Sequence, residues 1–261
     1  MNRLQRHLSE LKSRDEKAAI VFITAGDPSL QESLDIMLCM AENGADCIEL
    51  GIPFSDPIAD GPVIQRSTAR ALKNDVKIKE IFELVKAFRK SSDVPIVLMG
   101  YYNPLYRYGL EKMAADCSLA GVDGLIIADL PFEEGEELQT ITRKEDVSLI
   151  YLLAPDIDPM RTRSIVDSSS GFIYCVAQYS TTGTNEKTDA VSNETIELLK
   201  KMTNMPVVVG FGISDLDKAR EISKVADGVI VGSWLLKKLE TADNKPEYAG
   251  RFVRNLKKAM V

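Results

Sequence analysis

Gly44-Ala45-Asp46-Cys47-Ile48, Gly121-Val122-Asp123-Gly124-Leu125 and Val225-Ala226-Asp227-Gly228-Val229 share one shape: a small residue, an aspartate, then a strand. Similar apolar runs recur at Ala19–Thr24, Cys47–Leu50, Ile96–Met99, Gly124–Ile127, Ser148–Leu152, Phe172–Val176, Val207–Gly210 and Gly228–Val231. They are nearly continuous in apolar residues, as strands buried on both faces are. Helical patterns lie between most of them. In Ile78–Arg89, for example, Ile78, Ile81, Phe82, Leu84, Val85 and Phe88 fall on one broad face. Eight β-α units in 261 residues give about 33 residues per unit, the size expected of an α/β chain folded as a (β/α)8 TIM barrel. The repeated aspartate then falls in the α-to-β turn at the barrel bottom, where residues serve stability, so Asp46, Asp123 and Asp227 read as structural. No linker or low-complexity segment interrupts residues 1–261, which read as a single domain. The longest gap between strands, Leu50 to Ile96, must hold a helix and a long loop, and such a loop at the top of a barrel is usually functional.

Composition removes several classes of function. Hydrophobic residues make up 45% and charged residues 27%, which excludes disordered and collagen-like chains. The 32 basic and 39 acidic side chains leave a net charge of −7, so no basic stripe offers itself to nucleic acid. No apolar run approaches the roughly 20 residues of a membrane span. Met1–Lys17 is polar and charged with no apolar core and does not read as a signal peptide, and the expected location is cytoplasmic. The one histidine, His7, cannot build a multi-histidine zinc site, and no metal is expected. Leu4, Leu8 and Leu11 at helical spacing around it predict an extra N-terminal helix, with His7 on its exposed face. Cys39, Cys47, Cys117 and Cys175 form no C-x-x-C pair and read as reduced, buried small hydrophobes.

In a barrel, chemistry sits where strands end and βα loops begin. Glu49 stands between Ile48 and Leu50 near the end of an apolar strand. Desolvation there raises a carboxyl toward the range of a general acid or base. The alternative is a core glutamate satisfied by backbone donors or a cation, but no Lys or Arg lies within any candidate strand. Asp56 and Asp60 follow in the loop, where turn geometry is the ordinary use of aspartate. Asp60 gains weight as a second carboxylate beside Glu49. Asp129, ending strand 4, reads equally as a turn cap. Gly183, Gly210, Gly212 and Gly232 occupy the last three βα loops, where barrels often bind phosphate on backbone N–H groups; tight turns are the alternative. Ser233 could add a hydroxyl at a helix start. Phe22, Met99, Tyr101, Ile126, Tyr174 and Phe211 lie near strand ends. Such residues are usually core, yet an apolar pocket beside a phosphate site suits a flat aromatic group with a phosphorylated tail. No strand carries a Schiff-base lysine and no histidine set could hold an aldolase metal, which leaves proton transfer by carboxylates.

The segment Ile48-Glu49-Leu50-Gly51-Ile52-Pro53-Phe54-Ser55-Asp56-Pro57-Ile58-Ala59-Asp60-Gly61-Pro62-Val63-Ile64-Gln65 closely resembles the signature of the tryptophan synthase α chain family. Ile23–Pro28, Tyr101–Pro104, Asp129–Pro131 and Gly210–Ser214 are similar to that family too, and the resemblance covers essentially the whole chain. It implies retro-aldol cleavage of indole-3-glycerol phosphate to indole and glyceraldehyde 3-phosphate. Glu49 would protonate the indole ring carbon and take the glycerol hydroxyl proton, and Asp60 would hold and deprotonate the indole N–H. Gly183, Gly212, Gly232 and Ser233 would hold the phosphate. Phe22, Met99, Tyr101, Tyr174 and Phe211 would line the indole pocket. The resemblance also implies a β chain partner in an α2β2 complex, with pyridoxal phosphate on the β chain and no cofactor on this one. Pro53–Pro57 and the loop after strand 6 would face that partner. Two other roles share the resemblance: an activator of the β chain, or a stand-alone lyase. Two places depart from the family pattern. Gln178-Tyr179-Ser180-Thr181-Thr182-Gly183 replaces a basic residue followed by a Ser-Gly-Val-Thr-Gly-like run, and Trp234 replaces a small residue after Ser233. Trp234 either packs at a helix start or narrows the phosphate-binding turn.

Overall fold

A computed structural model of the protein describes residues 1–154, 158–176, 192–210 and 212–260. The first half runs α1 (Arg3–Ser13), β1 (Ala18–Thr24), α2 (Leu30–Glu42), β2 (Cys47–Gly51), α3 (Pro62–Lys73), α4 (Ile78–Arg89), β3 (Ile96–Gly100), α5 (Tyr102–Tyr108), α6 (Leu110–Ala120) and β4 (Gly124–Ile127). The second half runs α7 (Glu136–Lys144), β5 (Ser148–Ile150), β6 (Leu152–Leu153), α8 (Pro159–Ser168), β7 (Ile173–Val176), α9 (Asn193–Met202), β8 (Val207–Gly210), α10 (Leu216–Ser223), β9 (Gly228–Val231), α11 (Ser233–Leu239) and α12 (Lys245–Ala259).

All strand pairs are parallel, and the sheet order is β5-β4-β3-β2-β1-β9-β8-β7-β6. The two ends of that order, β5 and β6, are separated in sequence only by Tyr151. The chain therefore passes from pairing with β4 to pairing with β7 along one path, and the sheet closes into a TIM barrel. The expected strand Ser148–Leu152 is this path, interrupted where it changes neighbours. The gap from Leu50 to Ile96 holds two helices, α3 and α4, with the loop 52–61 ahead of them.

The bottom of the barrel explains the repeated aspartates. Each reaches back to an N–H at the start of the preceding strand of the barrel, the first or second of that strand. Asp46 accepts from Ala19 N at 2.7 Å, Asp123 from Ile96 N at 2.8 Å, and Asp227 from Val207 N at 2.9 Å. Each is also paired with a cation from an outer helix: Lys257, Arg89 and Lys200 respectively, at 2.7, 2.8 and 2.8 Å. Helix α1 plugs this end and brings a residue to each aspartate. Arg3 lies 2.8 Å from Asp123, His7 3.2 Å from Asp46 and Lys12 3.5 Å from Asp227. Its start is fixed by a capping box in which Asn2 and Gln5 exchange hydrogen bonds. Burial of Leu4, Leu8 and Leu11 beneath it contributes about 2 kcal/mol for each side chain. His7 is thus at the bottom of the barrel, remote from the strand ends where Glu49 stands.

Candidate active site

β1 and β2 pair in register, with Phe22 opposite Glu49 and Thr24 opposite Gly51. Parallel partners share a face, so the Phe22 ring and the Glu49 carboxyl point together into the upper barrel. Met99 stands opposite Gly51 on β3 and joins them. Tyr174 of β7 and Ile230 of β9 complete the strand wall, and Ile64 of α3 covers it from above. Gly212, Ile213, Gly232 and Ser233 form the rim of the same cleft.

Two glycines make room for the rings. A Cβ at Gly51 would stand 2.6 Å from Phe22 Cζ, and one at Gly210 would stand 2.6 Å from Tyr174 Cε1. Gly210 therefore leaves room for an aromatic ring, a role the sequence, open between a phosphate loop and a tight turn, did not suggest. Gly212 has φ +72°, a conformation that β-carbon-bearing residues rarely adopt.

Glu49 is 1% exposed, and its Oε2 has no hydrogen-bond partner among the described residues. Burial, and then the charge of Asp60, push its carboxyl up to about 8. Asp60 is half-buried in the loop before α3. Burial pushes it up to about 6, against the pull of a hydrogen bond from Tyr101. Tyr101 is fixed from the other side as well: its Oη accepts from Ala59 N at 3.0 Å, and its ring lies 5.4 Å from that of Phe54. The Tyr101 and Tyr174 hydroxyls are both held above their ordinary value by burial first. The Asp60 charge adds to this in each, and the Glu49 charge also in Tyr174. The Asp60 charge thus reaches Glu49 and both phenols, although only Glu49 and Tyr174 of the four line the cleft itself. At neutral pH the arrangement offers one protonated and one ionised carboxyl, an acid and a base within one site.

The tryptophan synthase alpha chain model matches residues 8–260. The chain belongs to the tryptophan synthase alpha chain family. It is 45% identical over 247 residues to the tryptophan synthase alpha chain of Caldanaerobacter subterraneus subsp. tengcongensis, covering 95% of this chain and 94% of that one. The alpha chain of Clostridium kluyveri is 43% identical over 263 residues, with full coverage of both chains. A crystal structure of tryptophan synthase subunit alpha from Legionella pneumophila superposes with a TM-score of 0.91 at 34% identity, covering 100% of this chain and 98% of that one. As a tryptophan synthase alpha chain, the protein is a lyase of tryptophan biosynthesis.

The remaining candidate residues of this alpha chain divide clearly. Asp129 accepts a hydrogen bond from Tyr102 N at 2.7 Å and so caps α5. Asp56 is exposed on the loop surface, in a groove with Phe54, Pro57 and Ile58. Trp234 packs edge-on against Phe252 at 4.6 Å between ring centres, and it is absent from the cleft lining. Gly183, Phe211 and the segment Gln178–Thr181 lie outside the described residues. Among the described residues no cluster of His, Cys, Asp and Glu has the make-up of a metal site, and no helix is long and apolar enough to cross a membrane. The sequence reading missed Ile64, Ile213 and Ile230 as cleft residues.

Proposed function

We propose that Glu49 and Asp60 carry out the retro-aldol cleavage of indole-3-glycerol phosphate to indole and glyceraldehyde 3-phosphate. The protonated Glu49 carboxyl donates to the indole ring carbon that bears the glycerol chain. Asp60, ionised at neutral pH, accepts the indole N–H proton, giving the indolenine tautomer. Glu49, now a carboxylate, takes the proton of the adjacent glycerol hydroxyl. The carbon–carbon bond breaks, the aldehyde forms, and the electron pair returns to the ring as Asp60 gives its proton back to nitrogen. Protons balance over the cycle, and both carboxyls end as they began. The observation that carries this reading is the buried Glu49 oxygen with no hydrogen-bond partner among the described residues, whose carboxyl is raised by burial and by the charge of Asp60.

Phe22, Met99, Tyr101 and Tyr174 flank the indole, with Phe211 assigned to the same pocket. The phosphate is assigned to the backbone of Gly212 and Gly232 and to Ser233, with Gly183 from the preceding loop. Support comes from the shared cleft and from the start of α11 at Ser233, where helix N–H groups are unpaired within the helix. All steps are assigned to side chains of this chain, which works as one domain without a cofactor. Indole passes to a β chain that carries pyridoxal phosphate, in an α2β2 complex. Pro53–Pro57, exposed at Ser55 and Asp56, is assigned to face it, together with the loop after β7, which lies outside the described residues. Four free cysteines suit a reducing cytoplasm.

Indole release from indole-3-glycerol phosphate tests the assignment. Glu49→Gln abolishes it, and Asp60→Asn lowers it by about 10² or more. Full activity in Glu49→Gln contradicts the assignment. A wild-type chain that speeds the β reaction yet never releases indole makes the protein an activator instead.

A further inference from the structure

Helix α3 begins two residues after Asp60, and α11 begins at Ser233. The acid/base end of the site thus leads into one helix and the rim assigned to phosphate leads into the other. An ion network joins these two helices to the loop after β1. Asp27, in that loop, receives both arms of the Arg70 guanidinium: Nε at 2.7 Å on Oδ1 and Nη2 at 2.8 Å on Oδ2. Ser67 donates to the same carboxylate at 2.5 Å. The third nitrogen of Arg70, Nη1, reaches Glu240 at the end of α11, at 3.2 Å. Arg66 grips Glu240 with two further bonds of 2.9 and 3.1 Å. Asn74, which ends α3, donates to the carbonyl oxygens of Gly26 at 3.3 Å and Pro28 at 2.5 Å.

The charges balance, two guanidinium groups against two carboxylates. A scattered set of exposed pairs would contribute little. This set differs in two respects. The Asp27 side chain is only 8% exposed, and its partner is a bidentate arginine whose planar fork fixes direction as well as distance. None of these side chains lines the cleft, and none is needed to close the barrel, whose strands are held by their own ladders. What the network does fix is where α3 sits relative to α11.

We propose that Arg70 is a positioning residue: through Asp27 and Glu240 it locks α3 to α11, and so sets the spacing between the Asp60 loop and the Gly232–Ser233 turn. This rests on the function proposed above, since only a substrate that spans both ends senses that spacing. A ligand that occupies one end alone does not.

The test compares Glu240→Gln, which keeps the volume and removes the ion pair, with Arg70→Lys, which keeps the charge and removes the fork. Each variant is measured for kcat and KM with indole-3-glycerol phosphate and for inhibition by glycerol 3-phosphate, a one-ended ligand. The proposal expects kcat to fall about tenfold or more in both variants, as misplacement far from the chemistry does. Glycerol 3-phosphate inhibition stays within about twofold. Unchanged kcat in both variants overturns it. So does a loss of kcat matched by an equal loss of glycerol 3-phosphate affinity, which marks a merely structural role. A wild-type protein without lyase activity counts against the proposed function instead. The emission of Trp234, the chain's one tryptophan, then decides the network, because it sits on α11 and needs no substrate. A changed emission in Glu240→Gln supports the coupling, and an emission identical to wild type overturns it.

Discussion

Phe22 and Glu49 are register partners on adjacent parallel strands, so an aromatic ring and a carboxyl occupy the same side of the barrel wall at its open end. The ring is admitted by the missing side chain at Gly51, and the carboxyl is buried, with no cation beside it among the described residues. That environment favours the neutral acid.

Stability carries the mark of this arrangement. The Glu49 carboxyl is raised from its ordinary 4.5 to about 8. Below about pH 4.5 it is protonated in both folded and unfolded chains. Between the two values the unfolded chain gives up its proton while the folded chain keeps it, so stability falls as pH rises, by about 1.4 kcal/mol per pH unit. Above about 8 the loss is complete. Glu49→Gln removes this dependence. Urea unfolding should find the variant equal to wild type near pH 4 and more stable at pH 8, by roughly 2–4 kcal/mol. A variant less stable than wild type at pH 8 contradicts the account.

The rate should follow the two carboxyls. The proposed mechanism needs Asp60 ionised and Glu49 protonated, so kcat/KM should rise through about 6 and fall through about 8. Tyr101→Phe removes the hydrogen bond that lowers Asp60, so the acidic limb moves to higher pH. It also leaves Ala59 N–H without its acceptor, and kcat falls by about tenfold. An acidic limb that stays in place in Tyr101→Phe removes Asp60 from that role.

Room for Phe22 is the basis of the next expectation. In Gly51→Ala the new methyl collides with the Phe22 ring, and the ring must turn into the cleft. Overpacking of this kind costs about 1–3 kcal/mol of stability. The indole end is the part obstructed, so KM for indole-3-glycerol phosphate rises while glycerol 3-phosphate still inhibits. Gly51→Ala with wild-type KM would show that the ring is not a pocket wall.

Much of the fold was legible in the sequence because both signals used are local. Continuous apolar runs mark buried parallel strands, and an aspartate before a strand marks the turn that feeds it. The expected Val207–Gly210 and Gly228–Val231 agree with the observed strands to the residue. Glu49 stood out for the same reason: a carboxyl in an apolar run is a local contradiction. Tertiary facts were harder to read. Tyr151 splits a strand only because the chain changes partners there. Gly210 has a packing role that no local signal gives, the room it leaves for the Tyr174 ring. Asp129 and Asp60 are alike in sequence, and the partners that tell them apart, the Tyr102 N–H and the Tyr101 hydroxyl, are tertiary.

The bottom of the barrel should behave oppositely to the top. Asp123 accepts from Ile96 N, Arg89 and Arg3, each at 2.8 Å. Asp123→Ala strands the half-buried Arg89 guanidinium and a strand N–H, and it should cost about 3–5 kcal/mol of stability. The kcat/KM of the protein that remains folded should be that of wild type. A large kcat loss at full stability would place Asp123 in the catalytic machinery after all.

The central claim is that Glu49 is a neutral acid at pH 7, and a direct titration of its side-chain carboxyl tests it. With glutamate labelled by 13C at the carboxyl carbon, and Glu49→Gln used to assign the resonance, the Glu49 signal should remain that of the protonated form at pH 7 and move only as the pH passes about 8. A signal already that of the carboxylate at pH 6 contradicts the account.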